Sequence, residues 1–249
     1  MTTIETHTWA HADADIRTGY HTMRTRAFLK DVVHPSLAAL DADIERWATT
    51  REGAWMFAKA ESEALQRATI QAFCLSIQSL WERQLRNWLS ECAASGDQCG
   101  QHRRVARRDP MDKLSDLLLE LRGIPLTAFS TWGHLTLLNL IGNACRHGDG
   151  KSATDLFRSN PDLWPNWSSA PSTVPAGDPP MGPPAPPSFE HAVLPRELLD
   201  QFVDAIVGFW EDVAFIRLNS IPSSRQDDQL WAEMNRLRGQ RQARVARAR

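Results

Sequence analysis

Within this 249-residue chain, residues 134 to 147 gather the side chains best suited to chemistry on one face of a helix. At about 100° per residue, Leu137, Leu138, Ile141, Ala144 and Cys145 share one side, and Thr136, Asn139, Asn143, Arg146 and His147 share the other. A solvated face ordinarily carries Lys and Glu, which suit a helix and pair at i, i+4. Two asparagines and a threonine cost helix propensity and ask for hydrogen-bonding partners. His147 is the one group on this face able to move a proton near neutral pH, and Arg146 beside it offers a permanent positive charge. The face therefore suits either a polar reaction site or a surface held against another helix or subunit. His147 followed by Gly148 also has the pattern of a plain helix end, with an imidazole near the last carbonyls and glycine at the cap.

Other chemistries are excluded by what the chain lacks. It contains no Gly-rich phosphate loop of the P-loop or Rossmann type, no HExxH, no CxxC pair and no GxSxG. Asp112 and Asp149 have no second carboxylate or histidine at ligand spacing, and the His-rich start (His7, His11, His21) matches no standard metal site. No metal and no cofactor is expected. Cys74 and Cys145 fall in apolar helical runs, and with Cys92 and Cys99 they form no disulfide framework.

The run Leu138-Asn139-Leu140-Ile141-Gly142-Asn143-Ala144-Cys145-Arg146-His147-Gly148 resembles the HEPN signature of prokaryotic RNases and toxins. In that signature an arginine, often followed by Asn, precedes by a few residues a histidine that is often followed by Gly. Asn143 and His147 match the Asn and the His; Gly142 stands where the motif's arginine most often does, and Arg146 is the neighbouring cation. The resemblance spans residues 54 to 157 plus the helix from Pro195, and its motif is short. It implies a helical bundle, commonly a homodimer with two motifs facing each other, and either a metal-independent RNase of a toxin–antitoxin or phage-defence system or a non-catalytic relative. Under it, His147 would act as general base or acid on the ribose 2′-hydroxyl or the leaving oxygen. Arg146 would stabilise charge on the phosphate, and Asn143 and Asn139 would orient the groups. An antitoxin or another protein partner is implied as well.

The elements that must position this face are helical. β-Branched residues are scarce against Leu and Ala, and Tyr20 is the only tyrosine, so an all-α bundle is expected. Met23 to about Arg51 reads as helix, interrupted near His34-Pro35, as two short helices or one kinked helix. A long central helix is expected from about Ala54 to Ala94, where Ile70, Phe73, Ile77, Leu80, Trp81, Leu85 and Trp88 keep the three-four spacing, with Gly96 and Gly100 ending it. Ser95 to Pro110 reads as a loop carrying Arg103, Arg104, Arg107 and Arg108. A helix then opens at Asp109-Pro110 and runs to Gly123, and the next is capped by Ser130. Ser152 to Phe157 reads as a short helix, and helix resumes from Pro195 to about Asn219.

This pattern divides into a flexible arm (1–22), a bundle domain (23–220) with a Pro-rich insertion (161–194), and an Arg-rich C-terminal helix or tail (221–249). Residues 161 to 187 hold ten prolines and cannot be helical. The tail bears Arg236, Arg238, Arg241, Arg244, Arg247 and Arg249, a candidate anion-binding surface or a plain basic helix end. With Arg103, Arg104, Arg107 and Arg108, the arginines Arg241, Arg244 and Arg247 are the expected RNA contacts, giving salt-sensitive binding.

Lys plus Arg is 28 against 30 Asp plus Glu, so the net charge of -2 leaves any polyanion binding to a local patch. No apolar run reaches 18 residues and the first thirty residues lack a signal-type core, so a cytoplasmic protein without a membrane span is expected. Three functions stay open: an RNase, a non-catalytic helical dimerisation or regulatory protein, and an RNA-binding module that does not cut.

Overall fold

The computed structural model describes residues 3–10, 13–50, 53–93, 98–167 and 186–247, and among these helix is the only regular structure. The α-helices are α1 (Thr18–Phe28), α2 (His34–Thr49), α3 (Trp55–Cys92), α4 (Cys99–Arg108), α5 (Met111–Arg122), α6 (Trp132–His147), α7 (Lys151–Ser159), α8 (Glu197–Asn219) and α9 (Asp228–Arg247). The 38 residues of α3 span about 57 Å, and α2, α4, α6 and α8 all pack along it. The expected all-α bundle with one long central helix is the observed architecture.

Burial follows composition. Helix α8 is apolar nearly all round and is sunk in the core, while α3 turns one stripe inward. Their contact is aromatic: Trp81 meets Phe209 edge-on at 4.7 Å, Trp88 meets Trp210 at 5.7 Å, and Phe129 leans on Phe209 at 4.5 Å. Buried Gln84 accepts from Trp210 Nε1 (2.8 Å) and donates to Thr25 Oγ1 (3.1 Å), whereas the buried Trp81 Nε1 has no hydrogen-bond partner among the described residues.

One local expectation is narrowed and two change. Of two short helices or one interrupted helix near His34-Pro35, the second is observed: α1 passes through a π-helical turn, Leu29–Val33, directly into α2, with the proline in the first turn of α2. A widened turn tolerates the missing N–H and the bulk of the ring. Arg103 to Arg108 is not loop but part of α4, because Val105 and Ala106 supply a small apolar side that packs on the bundle and arginine is a good helix former. Gly100 lies in the first turn of α4 rather than ending α3, and Gly96 lies outside the described residues.

The segment read as a flexible arm is, in its described residues, docked. Ile4, Trp9 and Asp15 are buried. Trp9 N–H donates to Ser220 Oγ (2.9 Å), and Asn219 Nδ2 donates to the His7 carbonyl (3.0 Å). Buried Arg122 binds Asp15 at 2.9 Å, donates to the Ala10 carbonyl at 2.6 Å and stacks on Trp9. Its partners lie over a hundred residues upstream, so no local periodicity could reveal them.

The Pro-rich insertion is described only at its two ends. Leu163, Trp164, Phe189, Ala192 and Leu194 are buried there, and Val193 N–H donates to the Leu163 carbonyl at 2.7 Å. Residues 168–185, with most of the prolines, lie outside the described part.

Candidate functional site

Of the expected apolar side of α6, Leu138, Ile141 and Ala144 are buried together with Leu135, while Leu137 and Cys145 are half-buried. Of the polar side, Thr136, Arg146 and His147 are exposed and Asn139 and Asn143 are half-buried. The helix stops because Gly148 adopts φ 67°, where a side chain would be strained, while its N–H still reaches the Ala144 carbonyl at 2.8 Å. The helix-end pattern and the polar face therefore coexist in the same residues.

The polar face is completed from α3. Gln78 is fully buried and its amide is used at both ends. Its Oε1 accepts from Arg146 Nη2 at 3.1 Å, and its Nε2 donates to Glu82 Oε2 at 2.6 Å and lies 3.5 Å from Asn139 Oδ1. Glu82 in turn holds Arg86 at 2.7 Å, and Arg86 Nη1 donates to the Ala106 carbonyl on α4 at 3.0 Å. A continuous seam of hydrogen bonds thus runs from the end of α6, across α3, to α4.

Gly142 is explained by the same seam. A Cβ at residue 142 would lie 2.6 Å from Gln78 Cγ and 2.8 Å from Gln78 Cβ, so α6 can approach α3 here only without a side chain. Residue 142 is thus occupied by helix packing, and the cation of this face is Arg146, one helical turn on.

Asn139 and Arg146 are therefore brought together through Gln78. The side chains of half-buried Asn143 and exposed His147 have no hydrogen-bond or ion-pair partner among the described residues. Cys145, next to this pair, donates its S–H to the Gln71 carbonyl, and burial pushes its thiol up to about 11. Burial likewise raises the Cys74 thiol, so neither sulfur offers a thiolate nucleophile. Two residues beyond His147, Asp149 Oδ1 accepts from Phe189 N–H at 2.7 Å. That bond first, and the Ser188 hydroxyl next, hold its carboxyl below the usual range.

The expected RNA-contacting arginines divide sharply. Arg103, Arg104, Arg107 and Arg108 are exposed on α4, have no acidic partner among the described residues, and line a surface hollow with Gly100. Arg241 and Arg244 are instead turned inward. Arg244 donates to Glu211, to Asp212 Oδ1 (2.6 Å) and to the Gly208 carbonyl (3.2 Å), and Arg241 pairs with Glu5 and lies 3.6 Å from Asp212. The side chain of Arg247 lies outside the described part. The reading of Arg241 and Arg244 as free anion contacts is thereby corrected: two carboxylates on the buried helix α8 need counter-charges, and α9 delivers them.

Gln78, Glu82 and Arg86 are residues that sequence reasoning misses. Their i, i+4, i+8 spacing along α3 is visible, but only the approach of α6 distinguishes this polar row from an ordinary solvated one. Among the described residues no group of three or more His, Cys, Asp or Glu could hold a metal ion, and no helix is long and apolar enough to cross a membrane. Comparison of the chain with known protein families, curated proteins and solved structures finds no match.

Proposed function

We propose that this chain is a HEPN-like, metal-independent endoribonuclease acting as a homodimer in the cytoplasm within a toxin or phage-defence system. The observation that supports the reading is the end of α6: an unpartnered imidazole, His147, adjoins a guanidinium, Arg146, that is oriented by the buried Gln78 amide. His147 takes the proton from a ribose 2′-hydroxyl, whose oxygen bonds to the adjacent phosphorus as the P–O5′ bond breaks, giving a 2′,3′-cyclic phosphate, and the 5′-oxygen leaves as a hydroxyl with the proton returned by the imidazolium through solvent. Arg146 spends one of its five N–H donors on Gln78 and directs the rest at the phosphate oxygens. Asn143 and Asn139 orient the groups, and Arg103, Arg104, Arg107 and Arg108 gather the strand. An antitoxin-like protein is the expected partner in such a system.

Incubating the purified protein with total RNA and with tRNA in EDTA tests this against an identically purified His147→Ala protein. Cleavage by the parent that disappears in the variant is expected. Absence of cleavage by the parent, or equal cleavage by both, overturns the reading.

A second reading is favoured by the packing at Gly142. Because Gln78 fills the arginine position, the polar face can serve as a non-catalytic dimerisation or regulatory surface. Under that reading His147→Ala weakens self-association, and there is no activity to lose. Sedimentation of the two proteins at matched concentration separates the cases.

A further inference from the structure

A cavity of about 660 Å³ opens beside the candidate site, between α3, the turn after α7 and the loop that leads into α8. Its size falls within the roughly 300–1,000 Å³ typical of small-ligand sites. Arg67, Trp164, Asn166, Trp167, Glu190 and His191 contribute the side chains that give it chemical character.

The aromatic wall is held by ring contacts and a hydrogen bond. Phe157 meets Trp164 at 5.4 Å and Trp167 at 4.8 Å, both edge-on, and Trp164 Nε1 donates to the Ser188 carbonyl at 2.9 Å. Trp164 is buried, whereas Trp167 is only partly so and lends its ring to the cavity. The polar rim is unspent: Arg67 and Glu190 both line the cavity without pairing with each other, and Arg67 and Asn166 have no partner among the described residues. A cavity that offers a stacking surface, an amide and a carboxylate for hydrogen bonding, and a free guanidinium for charge has the groups that a nucleotide requires. Aromatic faces stack on bases of any identity, Asn and Glu bond to base edges, and arginine meets phosphate.

The position of the cavity ties it to His147. Asp149, two residues on, holds the backbone of Phe189, and so fixes the loop carrying Glu190 and His191 to the end of α6. On the other side, Cys145 bonds to the Gln71 carbonyl, and Arg67 lies one turn before Gln71 on α3. The cavity and the exposed imidazole therefore share one end of the bundle.

We infer that this cavity is a base-binding subsite for single-stranded RNA, in which a nucleobase stacks on Trp167, Asn166 and Glu190 contact its edge, and Arg67 contacts the adjoining phosphate. The inference rests on the RNase reading for its choice of nucleic acid, and it narrows the substrate class to unpaired RNA, since a paired base cannot enter.

The test is fluorescence anisotropy of a fluorescein-labelled single-stranded RNA oligonucleotide with the full-length His147→Ala protein, which removes cleavage as a complication. In that background Trp167→Ala should weaken binding roughly ten-fold, and Trp167→Phe should restore most of the loss. Arg67→Gln should lower the dependence of log affinity on log salt by about one neutralised phosphate. An oligonucleotide with abasic residues should bind the Trp167-containing protein as weakly as the intact oligonucleotide binds Trp167→Ala. The inference is overturned if Trp167→Ala and Arg67→Gln bind like their background, or if abasic and intact oligonucleotides bind alike. The parent RNase assay is read separately. Cleavage with no effect of Trp167→Ala on binding sinks the subsite alone, and a Trp167-dependent preference for bases without any cleavage sinks the RNase reading alone.

Discussion

The α-carbon of Gly142 on α6 lies directly against the buried side chain of Gln78 on α3, with space for no further atom: an added Cβ would stand 2.6 Å from Gln78 Cγ. That approach leaves no room for a side chain at residue 142, and the cation of the polar face is Arg146, bound to the same Gln78.

The first prediction concerns this close approach. Gly142→Arg should destabilise the fold by about 1–3 kcal/mol, because the obstructing atoms are the Cβ and Cγ of a helical side chain and not its flexible end, and under the proposed RNase reading it should not raise cleavage. Urea denaturation checks it. Combining Gly142→Ala with Gln78→Ala should cost less than the sum of the two single changes, since the smaller neighbour relieves the clash.

A second prediction follows from the inward turn of α9. Arg244→Ala leaves Glu211 and Asp212 on the core helix with Arg241 and the half-exposed Arg26 as counter-charges, so a loss of about 3 kcal/mol or more is expected at neutral pH. Removing residues 236 to 249 should likewise lower the melting temperature, and not merely trim a tail. Retention of full stability by either protein would show that α9 is dispensable.

The third prediction is a pH dependence. Burial pushes the Asp212 carboxyl up to about 6, against the opposing pull of Arg244 and Arg241 and with Glu211 adding to the rise. A carboxyl whose folded pKa exceeds its unfolded value near 3.8 binds its proton more tightly in the folded state. Its contribution to stability is therefore full below about pH 4 and is lost as pH rises to about 6, with no further change above. The difference is on the order of 2–3 kcal/mol. Asp212→Asn should remove that slope, so stability curves of the two proteins should converge in shape above pH 6 and diverge below it. Parallel curves throughout would rule it out.

Helix α4 supplies the fourth. Replacing Arg103, Arg104, Arg107 and Arg108 together by Gln should leave stability within about 0.5 kcal/mol, because none of them has a partner in the described fold. Under the proposed reading RNA binding should weaken, and its salt dependence should flatten by about 0.7 for each phosphate that is no longer neutralised. Unchanged salt dependence would remove α4 from the RNA surface.

Much of the architecture is legible because helical periodicity is a local property. The all-α class, the long α3 and the division of α6 into apolar and polar faces follow from residue spacing alone, since a side chain's place around a helix depends only on its position. The end of α6 at Gly148 and of α5 at Gly123 also follows, because glycine is the residue that takes positive φ without strain.

What the spacing leaves open is every question whose answer lies on another element. Spacing along one helix is enough to place Asn139, Asn143, Arg146 and His147 on a shared face. Long-range packing brings in Gln78, 68 residues away from Arg146, to hold its guanidinium, while the His147 side chain is left without a partner among the described residues. The early residues read as an arm because Ile4, Trp9 and Asp15 are too widely spaced to form a stripe; the buried Arg122 that captures Asp15 is what docks them. The arginines of α4 and α9 look alike when only charge is considered. Arg241 and Arg244 of α9 are consumed because α8 buries two adjacent carboxylates beneath them. Those of α4 stay free because no carboxylate among the described residues reaches them; Glu120 on α5 takes His102 instead. Composition and periodicity fix which way a side chain faces, and long-range packing alone fixes what it meets.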